Sequence, residues 1–532
     1  MMARIGVVAS VVAAFAAAAE GQVLRHDIVE RHFREFNAGD EELYRNEFEN
    51  ARAAETIGRE IPLFECPDAD IERTYYFRWW TYRKHIRRTK DGSGWVVTEF
   101  LPDVSWAGAE NTIACPFGHH VREGRWIRNG MYLDSYIDFM LRKGSINGPR
   151  SYLNWPAWSA LERAKVTGDF DFVREHLDGF IRNFEAWRRG WTVLSLSLTQ
   201  VENIQSAKGV PLKAGFREDR GLYDFAGDRE GSEFALSHDG ARPLVNAAMW
   251  AEAAAIAEIA RGAGRKDVAE RFAKAASAIE RNVKERLWNP KKEFFTALSV
   301  DGVHDDVCEL GGYAPFYFGM ELKGYGNAWK RLMDERGFYA PRGLTFPMRD
   351  TPGFDVSFDL KRHECLWNGP SWPYATSIAL TALYESLQSG AELPVAAEDF
   401  AKLVRQYAAQ HRRTLEDGRV VPWIDENLDP FTGEWIARRH MIEWDRAGIM
   451  KLTYRERGKD YNHSTFCDLV IAGLCGLVPQ ADGAVVVRPL APKAWDWWCV
   501  DGIRYHGHDV AVLFDRDGTR YGKGRGLVVL KD

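Results

Sequence analysis

The sequence predicts a mainly α chain in which helix hairpins stack and close into an α/α toroid, with an extended or β-containing segment before it and a small β module after it. Three observations carry this expectation. Helix-period stretches recur at 131–142, 152–166, 170–188, 243–262, 267–287, 374–387, 398–413 and 465–476, separated by loops rich in Gly, Pro and Asp. No fixed sequence period runs through them, which favours a closed ring over an open solenoid. Helical periodicity fades on both sides of this span, and β-branched runs replace it at the C-terminal end.

Taken in order, residues 1–19 read as a secretory leader. Arg4 supplies the basic start, Ile5 to Ala18 is an apolar stretch too short and Ala-rich for a membrane span, and Ala17-Ala18-Ala19 offers small residues for cleavage. Export to a periplasm or the exterior is the expectation. Residues 20–128 are dense in Trp, Tyr and Arg. Val96 to Leu101 looks like a strand, and the segment is expected to be extended or β-containing. Residues 129–480 hold the helices. In 243–262 the residues Val245, Met249, Ile256 and Ile259 share a face, and Asp169 is placed to cap the helix that follows it. Residues 481–532 carry strand-like runs at 484–489 and 509–514, with Asp517-Gly518 as a turn.

Composition narrows the function. Hydrophobic residues make up 45% and charged residues 27% of the 532, an ordinary globular balance, and the net charge of −6 gives no reason to expect a nucleic-acid partner. No later stretch is apolar enough to span a membrane. The seven Cys are scattered and odd in number and lack a CxxC pair, so neither a disulfide framework nor a Cys-based zinc site is expected. With 20 Trp, 19 Tyr and 29 Phe, flat apolar faces are abundant, which suits a carbohydrate ligand as well as an aromatic core. No metal or organic cofactor is expected, and the oligomeric state is not legible.

Three long loops are placed to carry chemistry, because loops in a helical protein add no core. The first, Asp228-Arg229-Glu230-Gly231-Ser232-Glu233-Phe234, groups three acids ahead of Arg242-Pro243. A carboxyl there, raised by burial or by neighbouring acids, is suited to protonate a leaving oxygen. The second, His363 to Pro373, sets Trp367 and Trp372 around Asn368-Gly369-Pro370. This is either a rigid aromatic wall reading sugar hydroxyls or a Trp-capped core turn. The third, Pro422 to Glu434, carries four acids, and its spacing does not fit an EF-hand calcium loop. Beyond these loops, His463 sits beside Tyr461 and Asn462. Trp80, Arg83 and Trp106 belong to the N-terminal aromatic block, read either as a cover over the toroid mouth or as a wrap packed on it.

In this order the loops resemble the clan of trehalase, processing α-glucosidase I and mannosylglycerate hydrolase, most closely the mannosylglycerate-hydrolase-like glycoside hydrolase domain, over about residues 130–480. The resemblance implies an (α/α)6 barrel hydrolysing α-linked sugars with inversion. Gly231-Ser232-Glu233-Phe234 is similar to the clan's acid motif, with Glu for Asp and Ser for the aromatic, which makes Glu233 the candidate acid and leaves Asp228 its rival. Trp367-Asn368-Gly369-Pro370-Ser371-Trp372 is similar to a Trp-Arg-Gly-Pro-x-Trp turn, with Asn for Arg. Glu426 to Glu434 is similar to the base segment, which makes Glu426 the candidate base and Glu434 the runner-up. Asn462 to Phe466 weakly echoes a late motif. Trp367, Asn368, Trp372, Arg242, Trp80, Arg83, Trp106 and His463 are then the candidate sugar contacts. Two other readings remain open: a polysaccharide lyase using Tyr461-Asn462-His463 with Arg83 or Arg125, and a glycan-binding protein without activity.

Overall fold

The hairpin Pro243–Gly262 with Lys266–Asn282 shows how the chain builds its layers. The first helix starts on a proline at its first turn, where the missing N–H costs nothing. It is buried nearly all round, as its Ala-rich composition allows. The second is amphipathic and buries only Val268, Ala269, Phe272, Ala276 and Ile279 against the first. Gly264, at φ +72°, lies in the short turn between them. The same pairing of a buried and a half-buried helix recurs in Pro373–Gln388 with Ala397–Gln410.

This computed structural model describes residues 22–143, 152–195, 210–357, 363–448 and 456–532, with a two-residue strand at Val11–Val12. The expected leader lies outside the described residues apart from that pair. Among them the chain is helix-rich with small antiparallel sheets, and no helix is long and apolar enough to cross a membrane. Buried helices follow one another as packing neighbours. Ala69–His85 packs on Ala397–Gln410, which packs on Pro373–Gln388; Pro243–Gly262 packs on Pro156–Thr167, which packs on Phe117–Gly124. Asp169 caps as expected, accepting from Phe172 N at 3.1 Å.

The N-terminal segment holds short strands at Leu63–Glu65, Ile86–Arg88 and Trp95–Val97 but is not mainly extended. It contains the helices Asp27–Ala38, Ala69–His85 and Phe117–Gly124. The 17-residue helix Ala69–His85 is capped by Asp68, and every residue from Thr74 to His85 is buried. A helix covered on all sides has no polar stripe, so periodicity cannot reveal it.

Two sheets matter for position. A five-stranded antiparallel sheet orders Leu298–Ser299, Gly240–Ala241, Leu222–Phe225, Val210–Arg217 and Trp191–Ser195. The acid-rich loop is the excursion between two of these strands. At the C-terminus, Trp497–Tyr505, His508–Asp515 and Gly526–Lys531 form a meander, and Leu63–Glu65 adds a fourth strand. His506 and Gly507 join the first two strands with φ of +48° and +80°, the left-handed pair a two-residue hairpin turn requires.

One buried carboxyl outside the loops makes a stability prediction. Glu252 accepts from Trp158 N at 2.8 Å, capping the helix Pro156–Thr167 from a neighbouring helix. Burial pushes its pKa up to about 8 against the opposing pull of the Trp158 and Ala157 N–H groups. A raised folded-state pKa means stability present below the ordinary carboxyl value and lost as pH rises towards about 8. Glu252→Gln is therefore expected to gain roughly 1–3 kcal/mol over the parent at pH 9 and nothing at pH 4. Denaturant midpoints at the two pH values check it; a difference independent of pH would refute it.

Candidate active site

The loop between Phe225 and Gly240 is held by its own polar residues. Asp228–Glu230 forms a 3-10 turn, and Gly231 follows at φ +93°. The Arg242 guanidinium donates to Glu230 Oε2 at 2.6 Å, Ser237 Oγ at 2.6 Å, His238 O at 3.1 Å and Glu309 Oε2 at 3.1 Å. Glu230 also accepts from Val245 N at 3.0 Å, and Glu309 from Leu236 N and Ser237 N, each at 3.0 Å. Of the loop's acids, Glu230 is thus spent on structure. Glu233 is not, and Phe234 beside it is a non-glycine residue at φ +58°, a strained conformation that a rigid surround sustains.

The loop at 423–435 is pinned likewise. Asn427 donates to Glu364 O at 2.9 Å and accepts from Ala437 N at 2.9 Å, while Leu428 and Ser371 exchange backbone hydrogen bonds of 2.9 and 2.8 Å. Asp425 accepts from Arg438 Nε at 2.8 Å and Trp423 Nε1 at 3.2 Å. Glu426 instead accepts from the Cys365 thiol at 2.9 Å and from Arg457 Nη2 at 3.3 Å. Arg457 also pairs with Glu364. Trp367 N donates to Glu233 O at 3.1 Å, so the second loop ties the first to the third.

A further carboxylate, Glu99, enters from the N-terminal segment. Tyr461 OH donates to its Oε1 at 2.7 Å, and His463 Nε2 lies 2.7 Å from the same oxygen. His463 stands between the rings of Tyr461 and Tyr374. Burial pushes the pKa of Glu233 up to about 8, and the charges of Asp228 and Glu99 push the same way. Burial raises Glu426 to about 8 as well, with Asp425, Glu99 and Glu233 adding to it, while the Cys365 thiol pulls down. Glu233 and Glu426, 193 positions apart in sequence, therefore lie in one another's field. The two are raised alike and differ in their contacts: Glu426 meets a donor thiol and a guanidinium, and Glu233 has the pull of Arg229 among side-chain charges.

Several of the expected contacts are buried or paired within the protein. Trp367 and Trp372 are each 1% exposed and stack on one another at 4.1 Å. Asn368 is buried, and its backbone oxygen accepts from Asp355 N. Arg242 is consumed by the acid loop. Trp80 is buried, donating to Asn37 Oδ1 at 2.8 Å, and Arg83 is buried on Phe48 O and Asn50 Oδ1. Glu434 is half-exposed and pairs with Arg439 at 2.8 Å. Arg125, needed by the lyase reading, is buried against Asp468. Asp228 and His463 do stand at the carboxyl cluster. Trp106 does too: it is 42% exposed, with the Arg457 guanidinium 5.2 Å from its ring.

Glu99, Cys365, Arg457 and Tyr461 complete the site without having been singled out as its members, except Tyr461 under the lyase reading; no local motif marks them. Glu364, Cys365 and Glu426 place potential metal ligands within 4.8 Å of one another. The Arg457 guanidinium already sits on both carboxylates, supplying the positive charge a cation would bring, so this trio does not fit a resident metal.

Comparison with known proteins gives two family matches. The profile described as the mannosylglycerate hydrolase MGH1-like glycoside hydrolase domain matches residues 109–464, and that of the glycosyl hydrolase family 65 C-terminal domain matches 479–530. A solved structure titled "Sialidase" is 32% identical, with a TM-score of 0.81, over 96% of this chain and 43% of its own. A family 78 rhamnosidase from a Bacillus species is 14% identical, with a TM-score of 0.52, over 86% of this chain and 40% of its own. A family 63 mannosylglycerate hydrolase from Thermus thermophilus is 12% identical, with a TM-score of 0.48, over 75% of this chain and all of its own. The chain thus spans less than half the length of the first two.

Proposed function

The chain belongs to the mannosylglycerate hydrolase MGH1-like glycoside hydrolase family, and from that premise we propose that it is an exported glycosidase hydrolysing an α-linked glycoside with inversion, Glu233 acting as general acid and Glu426 as general base. What carries the reading is one pair of desolvated carboxyls, on separate loops of the family-matched region, with different hydrogen-bond partners. An acid near the leaving oxygen must start protonated, which burial and the neighbouring acids Asp228 and Glu99 favour at Glu233. A base must start ionised, which Cys365 and Arg457 favour at Glu426. Inversion further needs room for water between the two, about 6.5–9.5 Å from carboxyl to carboxyl.

The fold proposed for this chemistry is an (α/α)6 toroid, and the succession of packed buried helices supports it. The loops at 228–242, 363–373, 423–435 and 456–463 then form one rim, joined by the backbone hydrogen bonds from Trp367 to Glu233, between Ser371 and Leu428, and from Asp460 to Ile424. Trp106 stands at the entrance. Glu426 has no exposed surface beneath Arg457, so delivery of water requires that side chain to swing aside. The lyase reading loses its cations, since Arg83 and Arg125 are both core residues.

The test is reducing-sugar release by the purified exported protein, its N-terminus read by mass spectrometry, on a panel of α- and β-glycosides. Proton NMR then identifies the anomer formed first. A chain starting near residue 20 that converts an α-glycoside to the β-sugar is the expected result. The α-sugar first would mean retention, and an unsaturated product would mean elimination.

A further inference from the structure

Six of the seven cysteines are buried, and Cys365 alone is half-buried. It lies inside the carboxyl cluster, immediately after Glu364. The segment is fastened to the Glu426 loop at two points: Asn427 Nδ2 donates to Glu364 O at 2.9 Å, and the Cys365 thiol donates to Glu426 Oε2 at 2.9 Å. The other oxygen, Glu426 Oε1, faces Arg457 Nη2 at the longer distance of 3.3 Å. Each carboxylate oxygen therefore meets one donor, from two different loops. A carboxylate so held has lost its freedom to rotate about its last bond.

We infer that Cys365 is a positioning residue for Glu426: its thiol fixes the rotation of the carboxylate, favours the ionised form, and leaves Oε1 as the oxygen that takes the proton from water. The inference rests on the reading of Glu426 as the base. The thiol suits this work because it stays protonated at neutral pH. Burial and the charges of Glu426, Glu233 and Glu99 hold its pKa well above the ordinary thiol value, so it remains a donor through the neutral range. Other groups also face Glu426: Asp425 on its own loop, Glu364 and Arg457 beside it, Tyr461, and the carboxylates of Glu99 and Glu233. Of these only Arg457 opposes the crowd of negative charge by ion pairing. A serine at 365 keeps a donor in nearly the same place; an alanine does not.

Two measurements test this. In kinetics over pH, Cys365→Ala is expected to lower kcat about tenfold with KM changed less than about twofold, and to move the acidic limb of kcat/KM up by about 0.5–1 pH unit. The sign follows from the contact, since losing a donor to the ionised base makes that base harder to ionise. Cys365→Ser should restore most of kcat and return the limb. Equal behaviour of the two variants, or a limb that stays at the wild-type position in both, overturns the inference. The second measurement needs no activity: iodoacetamide labelling of Cys365 at pH 9, followed by peptide mass spectrometry, in the wild type and in Glu426→Gln. Removing the negative charge should let the thiol ionise more readily and speed labelling about threefold or more. Equal rates would overturn the contact itself, whether or not the protein proves to be a glycosidase.

Discussion

Glu426→Gln is expected to abolish hydrolysis, lowering kcat by about 10³-fold or more while leaving the protein folded. The amide has the size of the carboxyl and keeps one oxygen for the Cys365 thiol, but it cannot accept a proton from water. The loss corresponds to about 4 kcal/mol of barrier. Folding should survive, because the substitution removes a negative charge from a cluster holding Glu99, Asp425 and Glu233. Arg457 keeps Glu364 as its partner. Single-turnover rates and a thermal melt, run side by side, decide it. Turnover within tenfold of the parent would move the base elsewhere, with Glu99 the nearest structural rival because it shares the cluster.

Glu233→Gln is expected to fail in a different way. The acid's work scales with how poor the leaving group is. On an alkyl glycoside kcat should fall about 10²–10⁴-fold, and on an aryl glycoside with an acidic phenol far less. The pH profile supplies a second signature. Glu233 and Glu426 titrate as a coupled pair, so their protons leave in two steps. On the proposed roles the first leaves Glu426, which burial also raises to about 8 and whose ionised form the Cys365 thiol favours. The second leaves Glu233, whose pKa burial and the charges of Asp228 and Glu99 raise to about 8. Activity requires Glu233 protonated, so kcat/KM should fall as pH rises beyond about 8, and that basic limb should vanish in Glu233→Gln. A limb that persists unchanged would transfer the role to Asp228.

The three candidate loops were legible because each is a contiguous stretch in which acids or aromatics crowd around Gly and Pro. The roles within them were not. Arg242, Trp367 and Trp372 have the chemistry of ligand-binding residues, and the structure buries all three, Arg242 on the acid loop and the two indoles on one another. That follows from building a site on loops: backbone and carboxyl groups taken out of water must each find a partner, and nearby polar side chains supply it. Glu230 and Glu233 look alike in sequence, three positions apart. Only the arrival of Arg242 and the Val245 N–H at one of them tells the two apart.

What the amino-acid sequence determined by itself is whatever local order encodes. Helix periodicity fixed the mainly α character, Asp169 its cap, and short motifs in a set order the family. What the tertiary structure alone decided is which acids share one volume and how each is protonated. Glu99, Glu233, Cys365, Glu426 and Arg457 come from five separate stretches of chain, and their desolvation and mutual charge act through space. The long buried helix of the N-terminal segment was hidden for a related reason: a helix surrounded by protein displays no polar face, so its sequence carries no period to read.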